Sequence, residues 1–175
     1  MYPPSICAVC GYVPSVTGQM DTTIELHVRG ELTDPELEAL HAAAFDHPPT
    51  PTPWRRRLEE RSLTWITARL GGRLVGFVNV IGDGGAHAIL LDTCVAPDLH
   101  GRGVGRAIVE AAAGEAQSSG CEWLHADYEP RLVAFYEGAC GMRHAACGMR
   151  HSKAGLLRLE HPVPMGNTAT RTHRS

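Results

Sequence analysis

Alternating apolar and polar residues, interrupted by glycine and proline clusters, divide the chain into short strands and helices. Strand patterns with a period of two occur four times before position 96: Thr22–Val28, Leu63–Leu70, Leu74–Ile81 and His87–Val95. The Gly71-Gly72 pair between two of them predicts a tight hairpin, and Asp83-Gly84-Gly85 predicts the next turn. Three consecutive antiparallel strands, the last of them ending at Val95, are therefore expected.

Helical periodicity predicts four helices. They begin at Thr33 or Asp34, at Trp54, at Val104 and at Arg131, and they end near Ala44, Arg61, Gly120 and Ala139. Segment 47–53 is expected to be an extended loop, because each proline disfavours helix at the residue before it. Trp123–Asp127 and Gly155–Glu160 are the remaining predicted strands, and the helix that precedes the first of them indicates a right-handed parallel crossover.

Three alternate glycines, Gly101, Gly103 and Gly105, lie where the predicted strand His87–Val95 gives way to a helix. Glycine lets backbone N–H groups approach a ligand closely, and a helix N-terminus adds partial positive charge. This pattern indicates an anion site, with phosphate or pyrophosphate as the favoured ligand. A purely structural turn is the simpler alternative, although such a turn needs one glycine rather than three.

A dinucleotide-binding loop is a further alternative for the same glycines. Its G-x-G-x-x-G pattern requires another glycine, whereas Arg106 follows Gly105. Asp127 stands where such a site places its ribose-binding acid. The antiparallel strands that precede the loop, and the single strand-helix unit that follows, argue against a doubly wound sheet.

Composition narrows the function classes without selecting one. The 175 residues are 43% hydrophobic and carry a net charge of −3, as expected for a globular domain with no general attraction to nucleic acid or anionic membrane. No apolar run approaches the roughly 20 residues of a membrane span, and the first twenty residues lack the pattern of a signal peptide, so a cytoplasmic protein is expected. The six cysteines do not suggest a disulfide framework.

The element order, with VAPDLHGRGVGRAIVEAA and AFYEGACGMR, resembles the GNAT superfamily of acyl-CoA-dependent N-acetyltransferases over about residues 22–160. The resemblance implies an α+β fold of α/β/α type: a mixed, mainly antiparallel sheet of about six to seven strands flanked by about four helices. The expected domain is 21–162, between a disordered extension, 1–20, and a disordered tail, 163–175. Met20 is a candidate natural start.

The resemblance also implies the acetyl-CoA site. The family's pyrophosphate loop aligns on Gly101-Arg102-Gly103-Val104-Gly105, with His100 where glutamine or arginine is usual. The implied cofactor-binding residues are Cys94, Val95, His100, Gly101, Arg102, Gly103, Val104, Gly105, Arg106 and Ala107. Among them, the strand end at Cys94 and Val95 would bind the pantetheine arm, and the Val95 amide would polarise the thioester carbonyl.

Amide formation from a thioester needs a base for the ammonium and an acid for the departing thiolate. By resemblance the acid is Tyr136, although the motif from Tyr136 to Met142 is one residue longer than the family's Tyr-x-x-x-Gly-Phe. Asp92, on the strand that enters the glycine loop, is the first candidate base; alternation puts it on one face with Cys94. Asp127 and Glu129 are second candidates, His125 is a weaker one, and Trp54 and Trp65 are either core residues or walls of the acceptor pocket.

The sequence therefore predicts an N-acetyltransferase that moves the acetyl group from acetyl-CoA to a small-molecule amine or a peptide by direct attack in a ternary complex. An acyl-CoA-binding regulatory module without transferase activity is the alternative, and a homodimer is left open. No metal is expected.

Two features nevertheless have the composition of a zinc site: the Cys7-x-x-Cys10 pair, and the tandem copies ACGMRHA and ACGMRHS with Cys140/His144 and Cys147/His151. Free thiols and a slipped duplication in a surface connection are the favoured interpretations.

Overall fold

The computed structural model describes residues 23–145 and 153–159, and these form one seven-stranded sheet with helices on both faces. The strands are β1 (Ile24–Val28), β2 (Thr64–Leu70), β3 (Arg73–Gly82), β4 (His87–Val95), β5 (Trp123–Tyr128), β6 (Arg143–Ala145) and β7 (Lys153–Arg158). Their order across the sheet is β1-β2-β3-β4-β5-β7-β6. Among the described strands, β4 and β5 alone pair in parallel, so the sheet is mixed and mainly antiparallel, as predicted.

The α-helices among the described residues are α1 (Asp34–Phe45), α2 (Trp54–Arg61) and α3 (Val104–Ser118). Thr33 is the N-cap of α1: its hydroxyl accepts from the Glu36 N–H, and the Glu36 carboxylate accepts from the Thr33 N–H. This capping box, with Pro35 in the first turn, explains why the helix begins there.

The predicted hairpin and crossover are both present. Gly71 and Gly72 have φ angles of 54° and 82°, which the two central residues of a tight β2–β3 turn require. Helix α3 connects β4 to the parallel strand β5. The extended loop before α2 ends at Pro53, the N-cap of that helix.

The core lies on both sides of β3, the most completely buried strand. On one side α3 packs closely, since a Cβ at Gly76 would lie 3.1 Å from Val104 Cγ1 and 3.7 Å from Ile108 Cγ2. On the other side, the Phe77 ring is edge-on to Trp54 of α2, with 6.3 Å between ring centroids. β3 and its neighbours therefore separate an α3 face from an α1/α2 face.

The predicted last helix is replaced by a 3₁₀ turn, Pro130–Leu132, and a π-helical segment, Ala134–Ala139. Cys140 donates its N–H to the Phe135 carbonyl five residues back, where an α-helix would use four. A π turn holds one more residue than an α turn. That is the one extra residue in the motif after Tyr136, so the wider turn accommodates the longer sequence.

The first copy of the tandem repeat contributes β6, a strand absent from the prediction, which pairs with β7 in antiparallel fashion. β7 itself begins two residues before the predicted strand and ends at Arg158. The second repeat copy, the Cys7-x-x-Cys10 pair, and the predicted extension and tail lie outside the described residues. Within the described ranges, no helix has the length and apolarity needed to cross a membrane.

Candidate active site

Strands β4 and β5 separate before they end. Their parallel pairing stops at Leu90 opposite Ala126, yet β4 continues to Val95 and β5 to Tyr128. The last residues of β4 therefore border a gap where a neighbouring strand would otherwise lie. This opening in the middle of the sheet is the central feature of the site.

A β-bulge changes the course of β4 at this gap. Phe77 lies opposite Cys94 and Asn79 opposite Leu91, so two residues of β4 face one residue of β3, and Asp92 has a φ of 53°. Asp92 shares a face with Cys94, as alternation between those two residues predicts, although alternation counted from Leu90 would put it on the α3 face. The bulge directs its carboxylate to the α1/α2 face instead, among side chains of both helices.

The backbone at the end of β4 is divided between β3 and the gap. The Ala96 N–H donates to the Val75 carbonyl at 2.8 Å. Because hydrogen-bonding residues alternate along an antiparallel ladder, the N–H and C=O of Val95 point away from β3, toward the gap. Those of Cys94 point toward Phe77 of β3. Of the two predicted pantetheine contacts, Val95 has a backbone directed into the opening and Cys94 does not.

The glycine loop runs from β4 to α3 and uses its glycines in two ways. Gly101 and Gly103 have φ angles of 74° and 82°, and Gly103 is the N-cap of α3. Gly105 is needed for packing, because a Cβ there would lie 3.0 Å from the Phe135 ring. The first N–H groups of a helix have no partner within it, so this end of α3 offers donors and positive potential to an anion. Val104 and Ala107, also predicted to bind the cofactor, lie in this first turn.

The basic side chains of the loop have partners of their own. His100 lies 3.0 Å through Nε2 from the Val95 carbonyl, which makes it the donor that ties the loop to the end of β4. Arg106 donates to Glu110, four residues later on the same helix face, at 2.6 Å. Arg102 is exposed at the tip. The departure from the family pattern at position 100 thus has a structural role.

Tyr136 lies on the α3 face of the sheet beside the gap, and it is 6% exposed. Its ring stacks on Tyr128 with 4.5 Å between centroids, and its hydroxyl interacts with the side chain of Thr93. Burial raises the pKa of Tyr136 above its ordinary value, so the phenol stays protonated through neutral pH. A protonated hydroxyl next to the end of β4 is placed to act as an acid.

Asp92 lies on the opposite face within a cluster of charged and aromatic side chains. Its carboxylate pairs with Arg57 of α2, whose guanidinium lies over the Trp54 ring at 4.2 Å from the centroid. The second carboxylate oxygen is 3.5 Å from His41 Nε2 of α1. The Asp92 side chain keeps 23% of its surface exposed, so a ligand in the gap can reach it.

His41 and its neighbours belong to this cluster, although the sequence assigned them no chemistry. His41 Nδ1 is 2.8 Å from His47 Nε2, in the loop after α1. Glu38 is buried and accepts from the Thr50 N–H at 2.6 Å and from Trp54 Nε1 at 2.7 Å. These contacts hold the pKa of Glu38 at about 2. Two histidines six residues apart around a helix end were the only sequence signal.

The other predicted candidates lie elsewhere. Asp127 is exposed on β5, and Glu129 pairs with Arg131. His125 is 2.7 Å from His87, at the far end of β4 from the glycine loop.

The Trp65 indole donates to the Gly30 carbonyl and lines a separate cavity of about 540 Å³ with Arg29. Trp54 is a core residue and also forms one wall of the Asp92 cluster.

The cysteines of the described residues show no activated thiol. Cys94 is 3% exposed, and burial raises the pKa of its thiol far above the ordinary value. Burial also raises the pKa of Cys140 to about 11. Within residues 23–145 and 153–159, no group of three or more histidine, cysteine and acidic side chains is arranged to hold a metal ion. The second Cys-x-x-x-His pair of the repeat is outside those ranges.

Comparison with known proteins gives a consistent family. Residues 30–142 match the model of the acetyltransferase (GNAT) family. Serotonin N-acetyltransferase 2, chloroplastic, of Oryza sativa subsp. japonica is 34% identical over 85 residues, which are 47% of this chain and 42% of that protein. The mycothiol acetyltransferase of Nocardia farcinica is 30% identical over 101 residues, 56% of this chain and 33% of that protein. The chain thus spans less than half the length of these curated relatives.

Solved structures share the fold at low sequence identity. The Escherichia coli ribosomal-protein-S18-alanine N-acetyltransferase superposes with a TM-score of 0.66 and 19% identity, covering 83% of this chain and 99% of that one. A Bacillus subtilis acetyltransferase in complex with CoA gives a TM-score of 0.63 and 20% identity, covering 79% of this chain and all of that one.

Proposed function

The chain belongs to the GNAT acetyltransferase family, and we propose that it transfers the acetyl group of acetyl-CoA to a primary amine by direct attack in a ternary complex. The observation that carries the proposal is the opening between β4 and β5. The glycine loop lies at its end, Tyr136 on its α3 face and Asp92 on its α1/α2 face. Family membership and the relatives named for N-acetylation support the reaction class.

Acetyl-CoA fits the opening by the chemistry of its parts. The pyrophosphate would bind the N–H groups at the start of α3, beside Gly101 and Gly103. The pantetheine arm carries amides, which would pair with the edge of β4 that β5 leaves free. The N–H of Val95 would then donate to the thioester carbonyl and stabilise the oxyanion of the tetrahedral intermediate.

In the transfer step, the amine nitrogen forms a bond to the acetyl carbon and the carbon–sulfur bond breaks. The proton of the acceptor ammonium leaves through Asp92, because an unprotonated amine is needed for attack. Tyr136 protonates the departing thiolate of CoA and regains its proton from solvent. The products are the acetylated amine and free CoA, and no acyl-enzyme forms. This agrees with the raised pKa of the Cys94 thiol.

The acceptor is proposed to be a cationic amine that enters from the α1/α2 side. Asp92, whose side chain is 23% exposed, supplies the negative charge for an ammonium. The rice relative is named for serotonin, an arylalkylamine, which supports an amine of this chemical class. A cytoplasmic location, expected from the sequence, remains part of the proposal.

Two assays test the function. Isothermal titration with acetyl-CoA measures binding, and release of free thiol is followed with serotonin, phenethylamine, spermidine and a peptide with a free N-terminus. We expect saturable thiol release with at least one aromatic amine and mass-spectrometric detection of its acetylated product. Tight acetyl-CoA binding with no thiol release for any of these amines would contradict the transferase and favour the acyl-CoA-binding module.

A further inference from the structure

A chain of hydrogen-bonding groups leads from Asp92 to the surface through two histidines. His47 Nδ1 is 2.9 Å from the Pro48 carbonyl oxygen. His47 Nε2 is 2.8 Å from His41 Nδ1, and His41 Nε2 is 3.5 Å from Asp92 Oδ1. The proposed function gives a role to Asp92 and none to His41 or His47.

The carbonyl at one end determines where the hydrogens lie. The Pro48 carbonyl and the ionised Asp92 carboxylate both only accept, and two neutral rings joined by one hydrogen bond can offer a hydrogen to one of them but not to both. The contact at Pro48 is a hydrogen bond of 2.9 Å, whereas the contact at Asp92 is 3.5 Å, so in the neutral pair the hydrogen lies on His47 Nδ1. In neutral His47 the other nitrogen, Nε2, must then accept, and it accepts from His41 Nδ1. Neutral His41 therefore has its lone pair on Nε2, directed at Asp92.

A proton added to this pair of histidines always puts a new hydrogen on His41 Nε2. If His41 becomes the imidazolium, its Nε2 gains the hydrogen directly. If His47 carries the charge instead, its Nε2 donates to His41 Nδ1, and His41 again holds its own hydrogen on Nε2. In both cases the new hydrogen stands between His41 and Asp92, while the positive charge is shared by two rings.

The surroundings of His41 suit a base that is neutral at rest. Burial lowers the pKa of His41 below the ordinary value, and the carboxylates of Asp92 and Glu38 oppose part of that effect. His47 also disfavours a charge on His41. From α2, Arg57 neutralises part of the Asp92 charge. The side chains of His41 and Asp92 are 17% and 23% exposed, so each is mostly buried but reachable from the opening.

We propose that His41 is the final acceptor of the proton that the amine loses. His47 is then a positioning residue, which keeps the basic Nε2 of His41 directed at Asp92. The inference rests on the proposed function. The ammonium donates one N–H to Asp92 and loses a proton, which moves from the carboxylate oxygen to His41 Nε2. Asp92 leaves the step ionised and stabilises the new imidazolium. After product release, His41 loses the proton to solvent.

A measurement that needs no acceptor tests the arrangement first. In protein labelled with ¹⁵N-histidine, the ring nitrogen shifts report tautomer and titration. We expect His41 at pH 7.5 to be neutral with its hydrogen on Nδ1, and to titrate below the ordinary histidine range. In Asp92→Asn, the midpoint should fall further, because a charge that favours the imidazolium is lost. A hydrogen on His41 Nε2 at pH 7.5, or an unchanged midpoint in Asp92→Asn, would overturn the proposal.

The kinetic test uses phenethylamine and His41→Asn, whose amide still donates to His47 but cannot take a proton. At pH 7 we expect kcat/KM to fall about 100-fold, with the ascending limb of the pH profile displaced toward the amine's own pKa of about 10. The matched control is His27→Asn, because His27 lies on edge strand β1, beside Glu25. It should retain the wild-type profile.

His47 is tested by a conservative pair of variants. His47→Gln can still accept from His41 Nδ1 and should keep the wild-type pH profile. His47→Leu cannot accept, so the limb should move upward and kcat/KM should fall about 10-fold at pH 7. Superimposable profiles for wild type, His41→Asn and His47→Leu would overturn the inference while leaving the transferase intact. If wild type acetylates no amine, the tautomer measurement still decides the arrangement, and only the proposed function fails.

Discussion

The two faces of strand β4 hold chemistry of opposite character. On the α3 face lie backbone donors at the start of α3 and the buried phenol of Tyr136, all of them uncharged. On the α1/α2 face, Asp92 lies among Arg57, His41 and Glu38, which are charged or titratable. Under the proposed function, backbone N–H groups on the α3 face bind the pyrophosphate of acetyl-CoA. Side chains on the α1/α2 face bind the amine acceptor. Variants on one face should therefore leave binding at the other unchanged.

Gly103→Asp should have the largest effect. It places a carboxylate at the N-cap of α3, at a φ of 82°, where the pyrophosphate is proposed to bind. Loss of charge-assisted contacts of about 3 kcal/mol corresponds to at least about 100-fold weaker acetyl-CoA binding in isothermal titration. Gly103→Asn is the matched control, because asparagine tolerates this conformation without the charge. Equal affinities for wild type and Gly103→Asp would rule out the anion site. Gly105 is less informative, since substitution there would also disturb Phe135.

Asp92→Asn tests the other face. We expect kcat/KM for the amine to fall about 100-fold at pH 7, because the neutral amide neither attracts the ammonium nor passes on its proton. The Kd for acetyl-CoA should stay unchanged, which is the critical result for the comparison of faces. Asp127→Asn, on exposed β5, serves as the matched carboxylate and should retain activity. If Asp92→Asn keeps its activity and Asp127→Asn loses it, Asp127 and not Asp92 takes the proton from the ammonium.

Tyr136→Phe removes the proposed acid and keeps the aromatic stack on Tyr128. We expect kcat to fall about 10- to 100-fold with little change in the Kd of either ligand. Because burial raises the pKa of Tyr136, the wild-type rate should show no loss of this acid up to its ordinary pKa of about 10. Wild-type kcat in a variant with unchanged thermal stability would exclude the phenol as the acid.

Glu38→Gln should alter stability more than activity. The buried carboxylate accepts from the Thr50 N–H and from Trp54 Nε1, so the change should lower the free energy of unfolding by about 1–3 kcal/mol at pH 7. The pKa is depressed from 4.5 to about 2, so the stabilisation is complete above pH 4.5 and is lost as the pH falls toward 2. Urea unfolding of both proteins at pH 7 and pH 3 should show the difference shrinking. If the difference in free energy of unfolding is the same at both pH values, the effect comes from packing rather than from the charge. If the affinity for acetyl-CoA changes, the two faces are not independent.

The π-helical segment shows what a helical sequence pattern can predict and what it cannot. The sequence predicts one helix over 131–139, whereas the structure has a 3₁₀ turn followed by a π-helical segment. Helical periodicity does not state where an extra residue is absorbed, because an α-helix, a π turn and a longer loop are all compatible with it. The structure has the π turn, with the Cys140 N–H bonded to the Phe135 carbonyl and the Tyr136 ring stacked on Tyr128. Strand β6 is similar, because three residues form a strand only when β7 is present to pair with them.

The sequence by itself determined the elements from β1 to β5, the antiparallel meander and the glycine loop, because these depend on local periodicity and on backbone conformations that glycine adopts readily. The family followed from the resemblance of the loop and the Phe-Tyr motif to a known pattern. Tertiary structure alone decided the charged cluster. His41, Arg57 and Asp92 lie on three separate elements, and the Asp92 carboxylate reaches the other two because a bulge at a φ of 53° turns it to their face. Alternation counted back from Cys94 gives this face for Asp92, whereas alternation counted forward from Leu90 gives the other, and only the bulge between them decides which count holds.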